Sequence, residues 1–167
     1  MEYAYVLVTP KGCEKNINIE ILKDLIKIGK ELGLTTLTQV YDITRKDIEK
    51  LYNLTQNEEY LIYLEKQSSN KIIMPLFIKG VDAINKVKKI VYKYNNFSKP
   101  ELDKKNRYLD NIYMSNSKEE AILDFCQYFN IEDFSKIEEQ LFPILNEEIV
   151  SFNFKGLEDF VKTKKLI

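Results

Sequence analysis

The chain predicts an α+β domain: an antiparallel sheet of the ferredoxin-like βαββαβ kind, covered by helices. Two observations lead there. Apolar runs and helix-period segments alternate in the order strand, helix, strand, helices, strand, helix, strand. The 167 residues, 44% of them hydrophobic, suffice for one domain with a sizeable core.

The first element is the apolar run Ala4-Tyr5-Val6-Leu7-Val8, a buried strand that stops at a turn, Thr9-Pro10-Lys11-Gly12. Ile19, Leu22, Leu25, Ile26, Ile28 and Leu32 follow at helical spacing, and Gly33 stands where a helix terminator belongs. Leu34 to Tyr41, rich in Thr with Leu37 and Val40, suits a second strand. Thr44 and Asp47 can cap a helix running through Tyr52, and a further helix spans Glu58 to Lys66.

Ile72 to Ile78, closed by Lys79-Gly80, is the third strand, and Pro75 places it near a sheet edge or in a bulge. A helix from Val81 to Tyr92 carries Ala83, Ile84, Val87, Ile90 and Val91 on its apolar side. Lys93 to Asp110 is polar, contains Pro100 and has no period; long loops of this sort often carry function. A short strand at Asn111 to Met114 precedes a helix opened by Ser117, with Glu120 completing a capping box.

Residues 1–129 form the expected domain, and residues 130–167 form an extension that packs on it or on a neighbouring subunit, with partner binding as the other role. In this extension Phe134, Ile137, Leu141, Ile144 and Leu145 fit a helix interrupted near Pro143. Ile149 to Phe154 alternates like a strand, and an amphipathic stretch follows Gly156.

No apolar run approaches the roughly 20 residues of a membrane span, and the start lacks a signal-peptide pattern, so a soluble, cytoplasmic protein without a membrane partner is expected. Cys13 and Cys126 suggest packed thiols rather than a disulfide framework, and no Cys/His cluster offers a zinc site. The net charge of -1 hides an asymmetry: Lys79 to Arg107 carries +6, and Glu119 to Asp159 carries -9. The basic stretch favours anions, or is simply a solvated face. Nucleic-acid binding through it is disfavoured by the acidic remainder and by the absence of a recognised motif.

The most informative stretch is Asn111-Ile112-Tyr113-Met114-Ser115-Asn116-Ser117, followed by Glu119, Glu120, Ala121, Asp124 and Phe129. It resembles the signature of the nucleoside diphosphate kinases. There a short strand ends in the nucleophilic His, then Gly-Ser-Asp-Ser, then a helix whose Glu orients the imidazole. Tyr113 falls on the His, Met114 on the Gly and Asp124 on the Glu, and the whole chain contains no histidine.

The resemblance runs from about Tyr3 to Phe129. Thr9-Pro10-Lys11-Gly12 is similar to the family's Lys-Pro-Asp-Gly turn, with Thr9 at the phosphate-binding Lys and Lys11 two residues on. Tyr52, in Glu49-Lys50-Leu51-Tyr52, falls on a Tyr that supports the active site, and Tyr60 falls on an aromatic that stacks on the base. Gly80 falls on the Gly before the central helix, and Lys88 on a phosphate-binding Arg. Lys104 falls on the loop Arg, and Asp110 on an Asn that contacts sugar and phosphates. The resemblance therefore implies a nucleotide-binding set of Lys11, Tyr52, Tyr60, Lys88, Lys104, Arg107 and Ser115. Its ligand would be ATP, GTP or a nucleoside diphosphate, with Mg2+ arriving with the nucleotide, and the chain would be a homo-oligomer.

The family's imidazole stores a phosphoryl group as a labile phosphoramidate. A phenol, with a reference pKa of about 10, is a poorer nucleophile at neutral pH, and its phosphoester is a poorer donor. The first reading is accordingly a pseudoenzyme that retains weakened nucleotide binding, protein interaction or both. The alternative is an active kinase or other phosphotransferase that uses Tyr113, Ser115 or Asp124 as acceptor, or transfers directly.

Overall fold

The computed structural model describes residues 2–29, 31–38, 40–66, 71–95, 107–135 and 150–151. In chain order these are β1 (Glu2–Val8), α1 (Pro10–Glu14), α2 (Ile17–Asp24), β2 (Thr35–Thr38), β3 (Tyr41–Asp42), α3 (Arg45–Thr55), α4 (Glu58–Lys66), β4 (Ile72–Gly80), α5 (Ala83–Val91), β5 (Ile112–Met114), α6 (Lys118–Phe129) and β6 (Val150–Ser151). The strands lie in the order β5-β1-β4-β2-β6, and β3 also pairs with β4. The pairs β1·β4, β1·β5 and β2·β4 are antiparallel, and β6 runs parallel to β2. The four strands β5, β1, β4 and β2, with helical crossovers between β1 and β2 and between β4 and β5, make the ferredoxin-like α+β arrangement.

Both faces of β1 are buried, because it is central and successive side chains point to opposite sides. Tyr3, Tyr5 and Leu7 join Ile73, Phe77 and Tyr113 beneath α3, α4 and α6. Ala4, Val6 and Val8 join Met74, Leu76 and Ile78 beneath α1, α2 and α5. Burial of each large apolar side chain in these layers stabilises the fold by about 1.5–3 kcal/mol relative to exposure. The expected apolar side of α5 is buried in full.

Several local expectations change. Thr9-Pro10-Lys11-Gly12 starts the short helix α1 rather than forming a simple turn. Thr9 accepts from the Gly12 N–H and Pro10 occupies the first turn, where its missing N–H costs nothing. The buried stripe of the next helix is Ile17, Ile21 and Leu25, while Ile19 and Ile28 are exposed, and Leu25–Gly29 widens to a π-helical turn. Gly33 adopts φ +70, the left-handed conformation a helix terminator needs.

Pro75 lies in a central strand, not at an edge: it faces Leu7 of β1 on one side. Its C=O points the other way and accepts from Thr38 Oγ1 at 3.1 Å. In an antiparallel ladder a residue's N–H and C=O point to the same neighbour, so the missing N–H also faces β2. β2 ends at Thr38, and β3 pairs with β4 in the same register from Tyr41↔Ile73. One expected strand is two.

Thr44 and Asp47 form a reciprocal capping box, which starts α3 as expected. Of the extension, Phe134 packs edge-on against Tyr3 and Phe77, and β6 lies beside β2. The helix expected around Pro143 and the stretch after Gly156 lie outside the described residues, as does most of the loop before Arg107.

Gly12 is required by close approach. A Cβ there would stand 2.3 Å from the Asn111 carbonyl oxygen, at the point where α1 crosses the chain entering β5. Gly12→Ala is expected to destabilise the protein by about 1–3 kcal/mol, since backbone must shift to relieve the overlap. A urea midpoint equal to the wild-type value would contradict that close approach.

Candidate functional site

β5 delivers Tyr113 to the face beneath α6, opposite Leu7 of β1. The side chain is wholly buried, 0% exposed. Its ring stacks on Tyr108 with centroids 3.7 Å apart and planes 4° from parallel. Its hydroxyl lies 2.5 Å from Asp124 Oδ2 and 2.9 Å from Glu120 Oε1. The single phenolic proton is shared between the two carboxylates, Asp124 being the nearer. Glu120 has a second donor in Arg107, whose Nη2 is 3.0 Å from the same Oε1. Arg107 also donates from Nη1 to the Met114 carbonyl at 2.9 Å and sits 5.2 Å from the Tyr113 ring centroid. Ser115 Oγ, fully buried, donates to Asp124 Oδ2 at 2.7 Å.

Ser117 caps α6 by accepting from the Glu120 N–H. The Glu120 side chain is turned inward to Tyr113 and Arg107 instead of being committed to the expected capping box. Burial works against its charge, but donation from Tyr113 and Arg107 holds its carboxyl below the usual range. Tyr113 goes the other way: burial first, with Tyr108 and the bond to Asp124 adding, drives its pKa far above that of an ordinary phenol. Tyr108 is pushed up too, chiefly by burial and then by Asp124. The phenol is therefore neutral at any physiological pH and screened from solvent. This arrangement ties β5 to α6 within the core.

Thr9 is buried. It donates from Oγ1 to the Asp110 carbonyl at 2.8 Å, tying the end of β1 to the chain before β5. Asp110 directs Oδ1 to the Asn111 N–H at 2.7 Å. Cys13 is a packed thiol, raised to about 12 by burial.

Of the expected nucleotide set, Lys11 and Tyr60 come together, with Lys11 Nζ 5.3 Å from the Tyr60 ring centroid. Tyr60 is only 3% exposed and stacks on Tyr63, which leaves no open ring face for a nucleobase. Tyr52 is bonded through its hydroxyl to Glu58 at 2.7 Å. Lys88 lies on α5, the helix that packs on the opposite face of the sheet from Tyr113. Arg107 and Ser115 join the Tyr113 network: Arg107 Nη1 and Nη2 donate to the Met114 carbonyl and Glu120, its Nε is buried without a partner, and Ser115 donates to Asp124. Lys104 lies outside the described residues.

Tyr108, Tyr63, Lys71 and Glu14 complete these clusters and were absent from the expected set. Tyr63 is one helical turn from Tyr60, a spacing that could have marked it, whereas Tyr108, Lys71 and Glu14 meet their partners through the tertiary fold.

A cleft of about 170 Å³ opens between α3 and α6 above this network, lined by Lys50, Leu54, Tyr108, Asp124, Gln127 and Tyr128. It is smaller than the roughly 300–1,000 Å³ of typical ligand pockets and cannot enclose a nucleoside triphosphate. Among the described residues no group of three His, Cys, Asp or Glu side chains is placed to hold a metal ion, and no helix is long and apolar enough to cross a membrane.

No family model matches the chain, and neither does any curated protein. Among solved structures it is similar to a nucleoside diphosphate kinase family protein from Babesia bovis, at 22% identity and TM-score 0.46 over 72% of this chain and 83% of that one. It is similar to the nucleoside diphosphate kinase of Aquifex aeolicus, at 19% identity and TM-score 0.45 over 75% of this chain and 92% of that one. It is also similar to the nucleoside diphosphate kinase of Encephalitozoon cuniculi, at 15% identity and TM-score 0.47 over 75% of this chain and 87% of that one.

Proposed function

We propose that this chain is a nucleoside-diphosphate-kinase-like pseudoenzyme, a domain that works by binding and not by histidine-type phosphotransfer. The observation that carries this reading is Tyr113. At the position where the sequence resemblance puts the nucleophile stands a fully buried phenol, donating to Asp124 and stacked on Tyr108. The alternative acceptors fare no better, since Ser115 and Asp124 are buried and bonded to each other. Binding rests on charge, through lysines such as Lys11 and Lys88, because the aromatic platform at Tyr60 is covered.

Incubation with γ-labelled ATP and GDP is the test. The expected result is neither labelled GTP nor a labelled protein that survives denaturation. Robust transfer by the purified chain would sink the proposal. Tyr113→His should restore little, since Thr9 is committed to the Asp110 carbonyl and no lysine replaces it at that position. Near-normal transfer in that variant would show an otherwise complete site.

A further inference from the structure

A second cluster lies where α1, α4 and the start of β4 meet. Lys71 is 4% exposed, and its Nζ is buried with no hydrogen-bond partner. It sits 3.4 Å from the Tyr63 ring centroid, which accommodates the charge from one side only. The nearest carboxylate, Glu14 Oε2, is 3.6 Å away, an ion pair beyond hydrogen-bond distance. An ammonium has three donors, and a buried one with none satisfied is costly. The same cluster holds another orphan, Tyr60 Oη, also buried without a partner.

The surroundings favour negative charge. Lys11 Nζ stands 5.3 Å from the Tyr60 ring centroid and 5.7 Å from that of Tyr63. Lys15 adjoins Glu14 in sequence and reaches Asn111 Oδ1 at 3.1 Å. Lys71, paired with Glu14, and Lys11 thus stand over the same tyrosine pair, with Lys15 next to Glu14 in sequence. Glu14 accepts from the Tyr63 hydroxyl and pairs with Lys71, and its side chain is 55% exposed, so an outward rotation would cost those two contacts and meet water.

We infer that Lys71 and Lys11 form a binding site for a phosphate-class oxyanion, which Glu14 covers in the ligand-free protein and vacates when the anion arrives. The ligand class follows from the competition. A singly charged carboxylate would gain nothing over Glu14, already in place, whereas a multiply charged phosphate brings more charge and several acceptor oxygens to the unsatisfied donors. The covered ring of Tyr60 means that phosphate, and not base, is read. The inference rests on the binding reading above for its choice of phosphate, but its test involves no phosphoryl transfer and fails separately.

Calorimetry of the full chain with inorganic tripolyphosphate and with ATP decides it. Both should bind with similar affinity, and affinity should fall with salt. Glu14→Gln removes the competing charge at an exposed position and should tighten binding by about three- to tenfold. Lys71→Met should weaken it by about tenfold or more, and Lys11→Met by less. A purely structural Lys71–Glu14 ion pair predicts the reverse for Glu14→Gln, lost stability with no gain in affinity, and that outcome would overturn the inference. So would the absence of heat from the wild type and Glu14→Gln at millimolar tripolyphosphate. ATP binding much more tightly than tripolyphosphate would overturn it too, by showing that the base is read.

Discussion

Tyr113→Ala is expected to lower the unfolding free energy by about 3–5 kcal/mol, the range for deleting a large buried aromatic side chain. The ring is sandwiched in a continuous aromatic layer, with Tyr108 at 3.7 Å and Tyr5 at 6.2 Å between centroids. Its removal leaves both a cavity and a carboxylate, Asp124, short of a donor in a buried setting. Since whole domains are stable by only about 5–15 kcal/mol, this variant should stand near unfolding at 37 °C. Tyr113→Phe separates the two contributions. It keeps the ring, removes only the hydroxyl, and should cost about 1–3 kcal/mol. Urea unfolding of the two variants checks both values, with a shifted midpoint and an unchanged slope. A neutral Phe variant would mean that the bonds to Asp124 and Glu120 contribute nothing. An Ala variant within 1 kcal/mol or so of wild type would mean that Tyr113 faces an open site, and would return weight to a catalytic role.

What was legible in the sequence was what periodicity encodes. The unbroken apolar run Ala4 to Val8 read as a buried strand, and the helical spacing of Ala83, Ile84, Val87, Ile90 and Val91 as the apolar side of a helix, and all of these side chains are buried in the two layers. Less legible were positions where one residue has two possible partners. Glu120 fits a capping box with Ser117 on spacing alone, yet Arg107 and Tyr113 take its carboxylate. Pro75 reads as an edge residue until its side of the ladder is known; the Thr38 hydroxyl then explains how a central strand tolerates it. The resemblance puts Tyr60 on a base-stacking aromatic, but in the fold its ring is buried beside Tyr63 and Lys11. Each of these is a tertiary choice among locally equivalent options, which a linear pattern does not encode.

Arg107→Leu is expected to destabilise the protein by about 2 kcal/mol at pH 7 and by less than about 1 kcal/mol at pH 3. A fully buried pair broken at one partner costs about 3–5 kcal/mol; Glu120 is 25% exposed, so water recovers part of that. The pH dependence follows from Glu120, whose carboxyl is held below its ordinary value of 4.5 in the folded protein. A carboxyl depressed on folding contributes stability that is present above its unfolded pKa and is lost as pH falls through the folded one. Below 4.5 the wild type therefore loses what the variant never had, and the two unfolding curves converge. Glu120→Gln should flatten the wild-type acid dependence in the same window. Urea midpoints at pH 7, 5 and 3 are the measurement, and a difference between wild type and Arg107→Leu that stays constant across them would remove Glu120 as the cause. The same pair bears on function. Arg107 lies 5.2 Å from the Tyr113 ring centroid, and its two terminal nitrogens donate to Glu120 and to the Met114 carbonyl. A phosphate approaching this side would compete with Glu120 and the Met114 carbonyl for the guanidinium, so the ion pair that ties α6 to β5 also opposes a ligand's use of that charge.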